Sequence, residues 1–407
     1  MDPKELPSIL RDDKISVETN KLISSLLSRT DSQGQKLCKY QGCWYYYNTL
    51  QGVLNFQSGF QPQDTDIILA SYPKSGTTWL KALTVALLER SKNHSYSSDD
   101  EHPLLYDNPH GIVPCLEMDV YHESSSPNLA KFSAPRRKFS THMPLHAMEE
   151  TLKHSPCKIV YVCRNVKDTL VSWWFFLCAV LKIEQSRGIL ESLFESFCNG
   201  TIYYGPFWEH LLSYWRASLE EPKHVLFMRY EELKAEPRHQ IKRLAEFFGC
   251  PFTKQEEESG VVDKILDLCS LRNLSSLEVN KTGSRNDVDH KDYFRKGEVG
   301  DSKNYLTPEM EYKIDMIIQE KLQGSANITQ NNEVTMKDID LLLMCTSTVG
   351  EEFNIPLQNP SNNRTPPITT KRPSQDQLDK WIDRLKDSFD RLSLMVDRMT
   401  RLMSAQR

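Results

Sequence analysis

The sequence predicts a single α/β domain with a mostly parallel central sheet flanked by helices, followed by a linker and a C-terminal helical extension. Between residues 42 and 323, short apolar runs alternate with helical patterns, which is typical of the strand–helix units of a parallel sheet. After residue 323 the composition shifts to Asn, Thr, Pro and Ser, which is typical of a segment without a packed core.

Three strand–helix units define the predicted sheet. The runs DIILASY (66–72), KIVYVC (158–163) and HVLFMRY (224–230) are rich in the apolar and β-branched residues that favour strands. KIVYVC is unbroken in its apolar character, as expected of a strand that is covered on both faces. Helical patterns follow the three runs, beginning near Thr77, Val166 and Pro237.

The composition limits the classes of protein. A chain of 407 residues with 39% hydrophobic residues can bury one large core or two ordinary ones. The formal net charge of -5 does not favour a nucleic-acid partner or an anionic membrane surface. Residues 1–10 lack an apolar targeting segment, and the longest apolar run, residues 171–183, is too short to cross a bilayer. We therefore expect a cytoplasmic protein without membrane contact.

The ten cysteines are scattered along the chain and include no CxxC pair. This pattern favours reduced thiols over a disulfide framework or a structural zinc site. The sequence therefore predicts no metal.

The C-terminal part of the chain has two predicted segments. Residues 324–375 are expected to form a flexible linker. Residues 376–407 are expected to form an amphipathic helix, because apolar residues recur there in alternating steps of four and three, as in a short coiled coil. Four alternatives are open for this helix: self-association, binding of a partner helix, packing back on the domain, and fraying.

The first predicted strand leads into the loop Tyr72–Trp79 (YPKSGTTW), which is followed at once by a helix. The N-terminus of a helix offers free backbone N–H groups and the positive end of a dipole, so this loop is suited to cradle a phosphate. It is not a Walker A loop, because Lys74 precedes Gly76.

Two further basic segments come later in the chain. Arg164 follows the second strand, at the sheet edge where open α/β folds bind ligands, and Ser172 lies on the next helix. The segment Arg295-Lys296-Gly297 precedes the last helix. Three basic loops of this kind indicate a ligand that carries phosphate groups at two places.

These motifs resemble the cytosolic sulfotransferase family and closely match its plant branch, the flavonol and brassinosteroid types. The resemblance covers residues 42–323 and rests on YPKSGTTW, YVCRNVKDTLVSWW, and FRKGEVGD with KNYLTPEM after it. It implies a P-loop-like phosphosulfate-binding loop and sulfuryl transfer from 3'-phosphoadenosine 5'-phosphosulfate (PAPS) to a hydroxyl of a small acceptor, without a metal.

The resemblance also implies the roles of particular residues. FSTHMP matches the place of the family's catalytic histidine, so His142 is expected to be the general base, and Lys74 is expected to stabilise the leaving oxygen. His110 matches plant relatives and is expected to be structural or to line the pocket. The residues expected to bind PAPS are Lys74, Ser75, Gly76, Thr77, Thr78, Trp79, Arg164, Ser172, Tyr230, Arg295, Lys296 and Gly297.

Two positions depart from the family pattern. Ser302 stands where the family has a tryptophan, and we expect this change to loosen the loop that covers the nucleotide. Leu271 stands where many relatives have a phenylalanine that faces the adenine. Ser302 and the C-terminal extension favour an alternative, a catalytically weak protein of this fold that acts as an interaction module. A nucleotide kinase is a remote alternative, because the Walker A order and evident magnesium ligands are missing.

The acceptor is expected to be small and apolar. Plant relatives imply a flavonoid or a steroid-like molecule, with hydroxyjasmonates and desulfoglucosinolates as further classes. The candidates for the walls of the acceptor pocket are Trp44, Tyr45, Phe60, Trp173 and Phe207, although such residues belong to a core more often than to a pocket.

Overall fold

The computed structural model describes residues 6–31, 33–90, 102–132 and 136–326. The predicted linker beyond residue 326 and the predicted helix 376–407 lie outside these residues. The last described helix continues through Ala326, so residues 324–326 are helical and do not begin a linker.

The secondary structure alternates strands and helices along the chain. The strands are β1 (Ser28–Thr30), β2 (Lys36–Tyr40), β3 (Cys43–Tyr46), β4 (Ile67–Ser71), β5 (Lys138–Thr141), β6 (Lys158–Cys163), β7 (Val225–Arg229), β8 (Ser284–Arg285) and β9 (Val288–Asp289). The α-helices are α1 (Val17–Ile23), α2 (Tyr47–Gly59), α3 (Thr77–Arg90), α4 (Pro103–Tyr106), α5 (Pro109–Ile112), α6 (Glu149–Leu152), α7 (Val166–Val180), α8 (Arg187–Cys198), α9 (Phe207–Glu220), α10 (Tyr230–Ala235), α11 (Pro237–Phe247), α12 (Lys254–Glu258), α13 (Val261–Leu268), α14 (Leu271–Ser276), α15 (Glu278–Thr282) and α16 (Pro308–Ala326).

The central sheet is parallel and has the strand order β5-β4-β6-β7. The predicted α/β fold class is therefore confirmed. β6 has the predicted bounds, and β4 and β7 are each one residue shorter at both ends than the predicted runs. β5 is a fourth strand that the apolar pattern did not reveal, because its sequence KFST is short and half polar.

Both faces of the central sheet are covered. Ile67 and Leu69 of β4 belong to one apolar core, which they share with α3, α11 and α13. Ile68 and Ala70 belong to a second core, which includes residues of α2, α7 and α9. Because successive side chains of a strand point to opposite faces, this double burial explains why the strands are continuously apolar.

The N-terminal residues are part of the fold. β1, β2 and β3 form an antiparallel sheet, and the turn between β2 and β3 consists of Gln41 and Gly42. Both turn residues have positive φ angles, 47° and 82°, as a two-residue hairpin turn requires. The predicted boundary between an arm (1–41) and the domain (42–323) therefore falls inside a hairpin.

The carboxyl ends of all four parallel strands meet at one edge of the central sheet. β4 leads into the loop that contains Lys74, β5 ends next to His142, β6 next to Arg164 and β7 next to Tyr230. β5 and β6 lie on opposite sides of β4, and such a reversal of strand order opens a crevice at the carboxyl edge. The fold thus brings together side chains from distant parts of the sequence.

A buried ion pair joins the starts of β4 and β5, and its loss is expected to destabilise the fold. Arg137 Nε donates to Asp66 Oδ1 at 2.6 Å, and both side chains are buried. Arg137→Met leaves the Asp66 carboxylate buried without its partner, so we expect the free energy of unfolding to fall by about 3–5 kcal/mol. The exposed pair Lys242–Glu257 provides the control, since Lys242→Met should change stability by less than about 1 kcal/mol. Equal losses in urea unfolding of the two variants would contradict this assignment.

Candidate active site

A cavity of about 570 Å³ lies at the carboxyl edge of the central sheet. Ser75 is fully buried and is the one predicted site residue that does not line the cavity. The predicted site residues that line the cavity are Lys74, Gly76, Thr77, Thr78, Trp79, His142, Arg164, Ser172, Tyr230, Arg295, Lys296 and Gly297.

The loop after β4 has an unusual backbone conformation. Lys74 has a φ angle of 71°, which is uncommon for a residue with a side chain and typical of functional loops. Gly76 has a φ angle of 108°, and a Cβ atom at this position would lie 2.8 Å from the Tyr230 ring. Only glycine therefore allows Tyr230 to pack against the loop.

Lys74 places a cation in an aromatic part of the cavity. Its Nζ lies 3.8 Å from the centroid of the Phe176 ring and 5.9 Å from that of Tyr293. Burial, together with the positive charges of Arg164 and Arg295, lowers the pKa of Lys74 to about 7. An anion bound beside Lys74 would oppose these effects and favour the ammonium form.

Arg164 connects the sheet edge with the covering loop, residues 295–302. Its guanidinium lies 4.7 Å from the centroid of the Tyr230 ring and donates to the Glu298 carbonyl at 2.7 Å. Tyr230 in turn donates to the Gly297 carbonyl at 2.9 Å and meets Trp79 edge to face, with 5.6 Å between ring centroids. These contacts join three of the predicted binding segments into one wall.

The loop that carries Ser302 is held by carboxylates. Asp168 accepts the backbone N–H groups of Gly300 and Ser302 at 2.7 and 2.9 Å. Asp301 accepts Arg295 Nη1 at 2.5 Å and Lys296 Nζ at 2.7 Å, and although burial opposes it, these hydrogen bonds lower the pKa of Asp301 to about 2. Ser302 is itself buried. The loop is therefore anchored through its backbone. These bonds do not depend on the side chain at position 302, and they oppose the loosening expected from Ser302.

A backbone carbonyl fixes the tautomer of His142. Its Nδ1 lies 2.7 Å from the Ser71 carbonyl oxygen, which can only accept, so Nδ1 carries the proton and Nε2 has the free lone pair. His142 lines the cavity. Burial lowers the pKa of His142 below its ordinary value, although the charge of Glu117 partly offsets this effect. The imidazole is therefore neutral near pH 7, as a general base must be.

Glu117 supports His142 from the side of the protein interior. Its fully buried carboxylate accepts hydrogen bonds from the His142 backbone N–H at 2.8 Å, from Thr141 Oγ1 at 2.9 Å and from Tyr204 Oη at 2.7 Å. Glu117 lies in the π-helical segment Leu116–Val120, which packs against α2. Three donors thus hold this carboxylate next to the histidine.

Several of the functional residues were not found from the sequence. Glu117 and Asp168 act on the site through hydrogen bonds, and only Asp168 had a sequence signal, because it follows Arg164 by one helical turn. The predicted acceptor walls were largely wrong: Trp44, Tyr45, Phe60 and Phe207 are buried in the apolar core, whereas Trp173 does line the cavity. The aromatic and apolar residues that line the cavity include Met118, Trp173, Phe175, Phe176, Tyr203 and Tyr293.

In residues 6–31, 33–90, 102–132 and 136–326, no group of three or more His, Cys, Asp or Glu side chains is arranged to hold a metal ion. No helix within these same ranges is long and apolar enough to span a membrane.

The fold and the site together are typical of a transferase for an anionic, nucleotide-type donor, with a neutral histidine in the lining of the cavity. The family described as sulfotransferase domain matches residues 64–326. Cytosolic sulfotransferase 1 of Arabidopsis thaliana is 66% identical over 323 residues, which are 79% of this chain and 97% of the relative.

Two solved structures have the same fold. A crystal structure of a candidate steroid sulphotransferase of Arabidopsis thaliana is 40% identical, with a TM-score of 0.61, and the match covers 79% of this chain and 98% of that chain. A mouse sulfotransferase complexed with 3'-phosphoadenosine 5'-phosphate (PAP) is 26% identical, with a TM-score of 0.53, and the match covers 71% and 95% of the two chains.

The chain therefore belongs to the cytosolic sulfotransferase family, within its plant branch. It is an enzyme that transfers a sulfuryl group from PAPS. The relatives are matched along nearly their whole length, while about a fifth of this chain lies outside the match.

The residues of the cavity fit this co-substrate. Three buried nitrogen donors in its lining, Trp79 Nε1, Arg164 Nε and Arg295 Nε, have no hydrogen-bond partner within the described part of the chain. Together with the Lys74 ammonium, they provide the charged and N–H donors that phosphate and sulfate oxygens bind.

Glu117→Gln is expected to weaken the base. The variant keeps the shape of the side chain but removes the negative charge that raises the pKa of His142. The pKa of His142 should fall further, so the acidic limb of the pH–rate profile should move to lower pH and kcat should decrease roughly tenfold.

Asp31→Asn provides the control for this change. Asp31 is a partly buried carboxylate that accepts hydrogen bonds from Tyr46 and backbone N–H groups and does not line the cavity. This variant should leave the pH–rate profile in place. If Glu117→Gln also leaves the profile in place, Glu117 does not act on the base.

Proposed function

We propose that this chain sulfates a hydroxyl of a small, largely apolar acceptor of the flavonoid or steroid-like class. The observation that supports this most directly is the position of His142, whose free Nε2 and the Lys74 ammonium belong to one cavity with an aromatic wall. His142 is the proposed general base, and Lys74 is the proposed electrophilic residue.

In the proposed reaction, His142 Nε2 takes the proton of the acceptor hydroxyl while the acceptor oxygen forms its bond to sulfur. The bond between sulfur and the bridging phosphate oxygen breaks, and PAP leaves with the electron pair. Lys74 donates a hydrogen bond to that bridging oxygen, where negative charge develops. Holding both reactants in one cavity removes the entropic cost of bringing them together.

The proposed donor site uses the wall formed by the three predicted binding segments. The Lys74–Trp79 segment is proposed to hold the phosphosulfate end, with Trp79 near the adenine. Arg164 and the Arg295–Gly297 loop are proposed to hold the 3'-phosphate, together with Ser172 and Tyr230. The contacts of Arg164 with Tyr230 and Glu298 support this assignment, because they fix the guanidinium next to the covering loop.

The proposed acceptor class is based on the aromatic side chains of the cavity. Trp173, Phe176 and Tyr203 line the same cavity as His142 and favour a flat, apolar molecule. The structural relative crystallised as a candidate steroid sulphotransferase, at 40% identity, is consistent with an acceptor of that kind.

The cellular place and the assembly are also proposals. The names of the relatives, cytosolic sulfotransferases, support a cytosolic enzyme. Self-association through residues 376–407 stays a prediction from the heptad pattern, since these residues lie outside the described part of the chain.

Calorimetry with PAP tests the donor site. Wild-type protein should bind PAP tightly, and Arg164→Ala should raise the Kd roughly 30- to 100-fold, because it removes charge-assisted hydrogen bonds. Arg238→Ala is the control, since Arg238 is exposed, pairs with Asp263 and lies outside the cavity lining. A wild-type protein that binds no PAP would refute the proposed site and would favour an interaction module.

A screen for turnover with PAPS then tests the acceptor class. We expect sulfation of a flavonol such as quercetin or of a hydroxysteroid, and loss of turnover with retained PAP binding in His142→Ala. A wild-type enzyme that sulfates neither class would contradict the proposed acceptor.

A further inference from the structure

A buried lysine lines the cavity and has no role in the reaction described so far. Lys81 of α3 is 1% exposed and makes no salt bridge with a carboxylate of the described residues. Its Nζ lies 3.0 Å from His110 Nδ1. A buried ammonium whose direct partner is an imidazole is unusual, because buried charges are normally paired with an opposite charge.

The hydrogen-bonding capacities of these groups determine the direction of each bond. An ammonium only donates, so His110 Nδ1 accepts from Lys81 and the ring carries its proton on Nε2. His110 Nε2 lies 2.9 Å from Thr78 Oγ1, so the imidazole donates and the Thr78 oxygen accepts. Thr78 then keeps its own hydroxyl proton, for which the described residues provide no acceptor. Thr78 lines the cavity, so this proton can be donated to a ligand there.

The imidazole is held in this orientation. Its ring stacks on Tyr293, with 4.0 Å between the centroids and 21° between the planes. Its backbone N–H donates to Asn108 Oδ1 at 2.9 Å, and Asn108 is bound in turn to Asn280 at 2.7 Å. Burial and the charges of Lys81 and Lys74 lower the pKa of His110 well below its ordinary value, so the ring remains neutral.

We propose that Lys81, His110 and Thr78 form a hydrogen-bond relay that makes Thr78 a strong donor to a sulfuryl oxygen during transfer. This inference rests on the proposed function and deepens it. Thr78 would touch the reacting group, whereas Lys81 and His110 are positioning residues that act through it. The polarisation arises because each donor in a hydrogen-bonded chain strengthens the next, and the chain begins at a positive charge in a cavity of low dielectric.

Single and double variants test the relay in a turnover assay with PAPS and the acceptor selected by the screen above, quercetin or the hydroxysteroid. Thr78→Val should lower kcat on the order of 100-fold, the loss of one preorganised donor, while Thr78→Ser should restore most of it. Lys81→Met should lower kcat roughly tenfold and leave the Kd for PAP nearly unchanged. The double variant Thr78→Val/Lys81→Met should be no slower than Thr78→Val, because Lys81 acts only through Thr78.

A matched control separates this effect from packing. Thr84 lies on the same helix, is fully buried and does not line the cavity. Thr84→Val removes a hydroxyl in the same way and should keep wild-type kcat. Lys81→Met is expected to fold, since replacing a buried charge by an apolar side chain is often neutral or stabilising.

Three results would overturn the relay. The first is a wild-type kcat in Lys81→Met, and the second is a double variant whose kcat falls by the product of the two single-variant factors. The third is an increase in the Kd of Lys81→Met for PAP that matches its loss in kcat. The last result would make Lys81 a donor-binding cation. A wild-type protein without PAP binding or turnover would instead refute the proposed function, and the relay with it.

Discussion

The active site depends on keeping positive charges at the carboxyl edge of the sheet without neutralising all of them. Lys74 lines the cavity among aromatic side chains, and burial lowers its pKa to about 7. An unpaired cation in such a place is costly unless an anion joins it. The buried cation is therefore destabilised in the free protein, and binding of an anionic co-substrate offsets this cost.

The described carboxylates near the site orient its loops and side chains and do not pair with Lys74. Asp168 and Asp301 hold the loop of residues 295–302, and Glu117 holds the backbone N–H of His142. Each of these acids is buried and engaged by hydrogen bonds from the protein. The negative charges thus orient the loop and the backbone of His142, the proposed base, while Lys74 keeps its Nζ over an aromatic ring.

The residues that follow the strands could be predicted from the sequence. A lysine or arginine after a buried apolar run lies at the carboxyl edge of a parallel sheet, and Lys74 and Arg164 are found there. The family resemblance added His142, whose strand β5 was too short and polar to be recognised. Glu117 could not be predicted, since its contact with His142 depends on how the segment 116–120 packs across the chain. The aromatic residues of the proposed acceptor wall were assigned poorly, because the sequence alone does not distinguish an aromatic side chain of the core from one that lines a pocket.

The proton balance of PAP binding tests the central claim most directly. At pH 8 the Lys74 amine is mostly neutral, since burial and the charges of Arg164 and Arg295 lower its pKa to about 7. The phosphates should raise this pKa, so calorimetry in buffers of different ionisation enthalpy should show proton uptake at pH 8. At pH 6 the Lys74 amine is already charged, so proton uptake by Lys74 on PAP binding should vanish. Lys74→Met should lose most of the uptake at pH 8, whereas an uptake equal to that of the wild type would contradict the account.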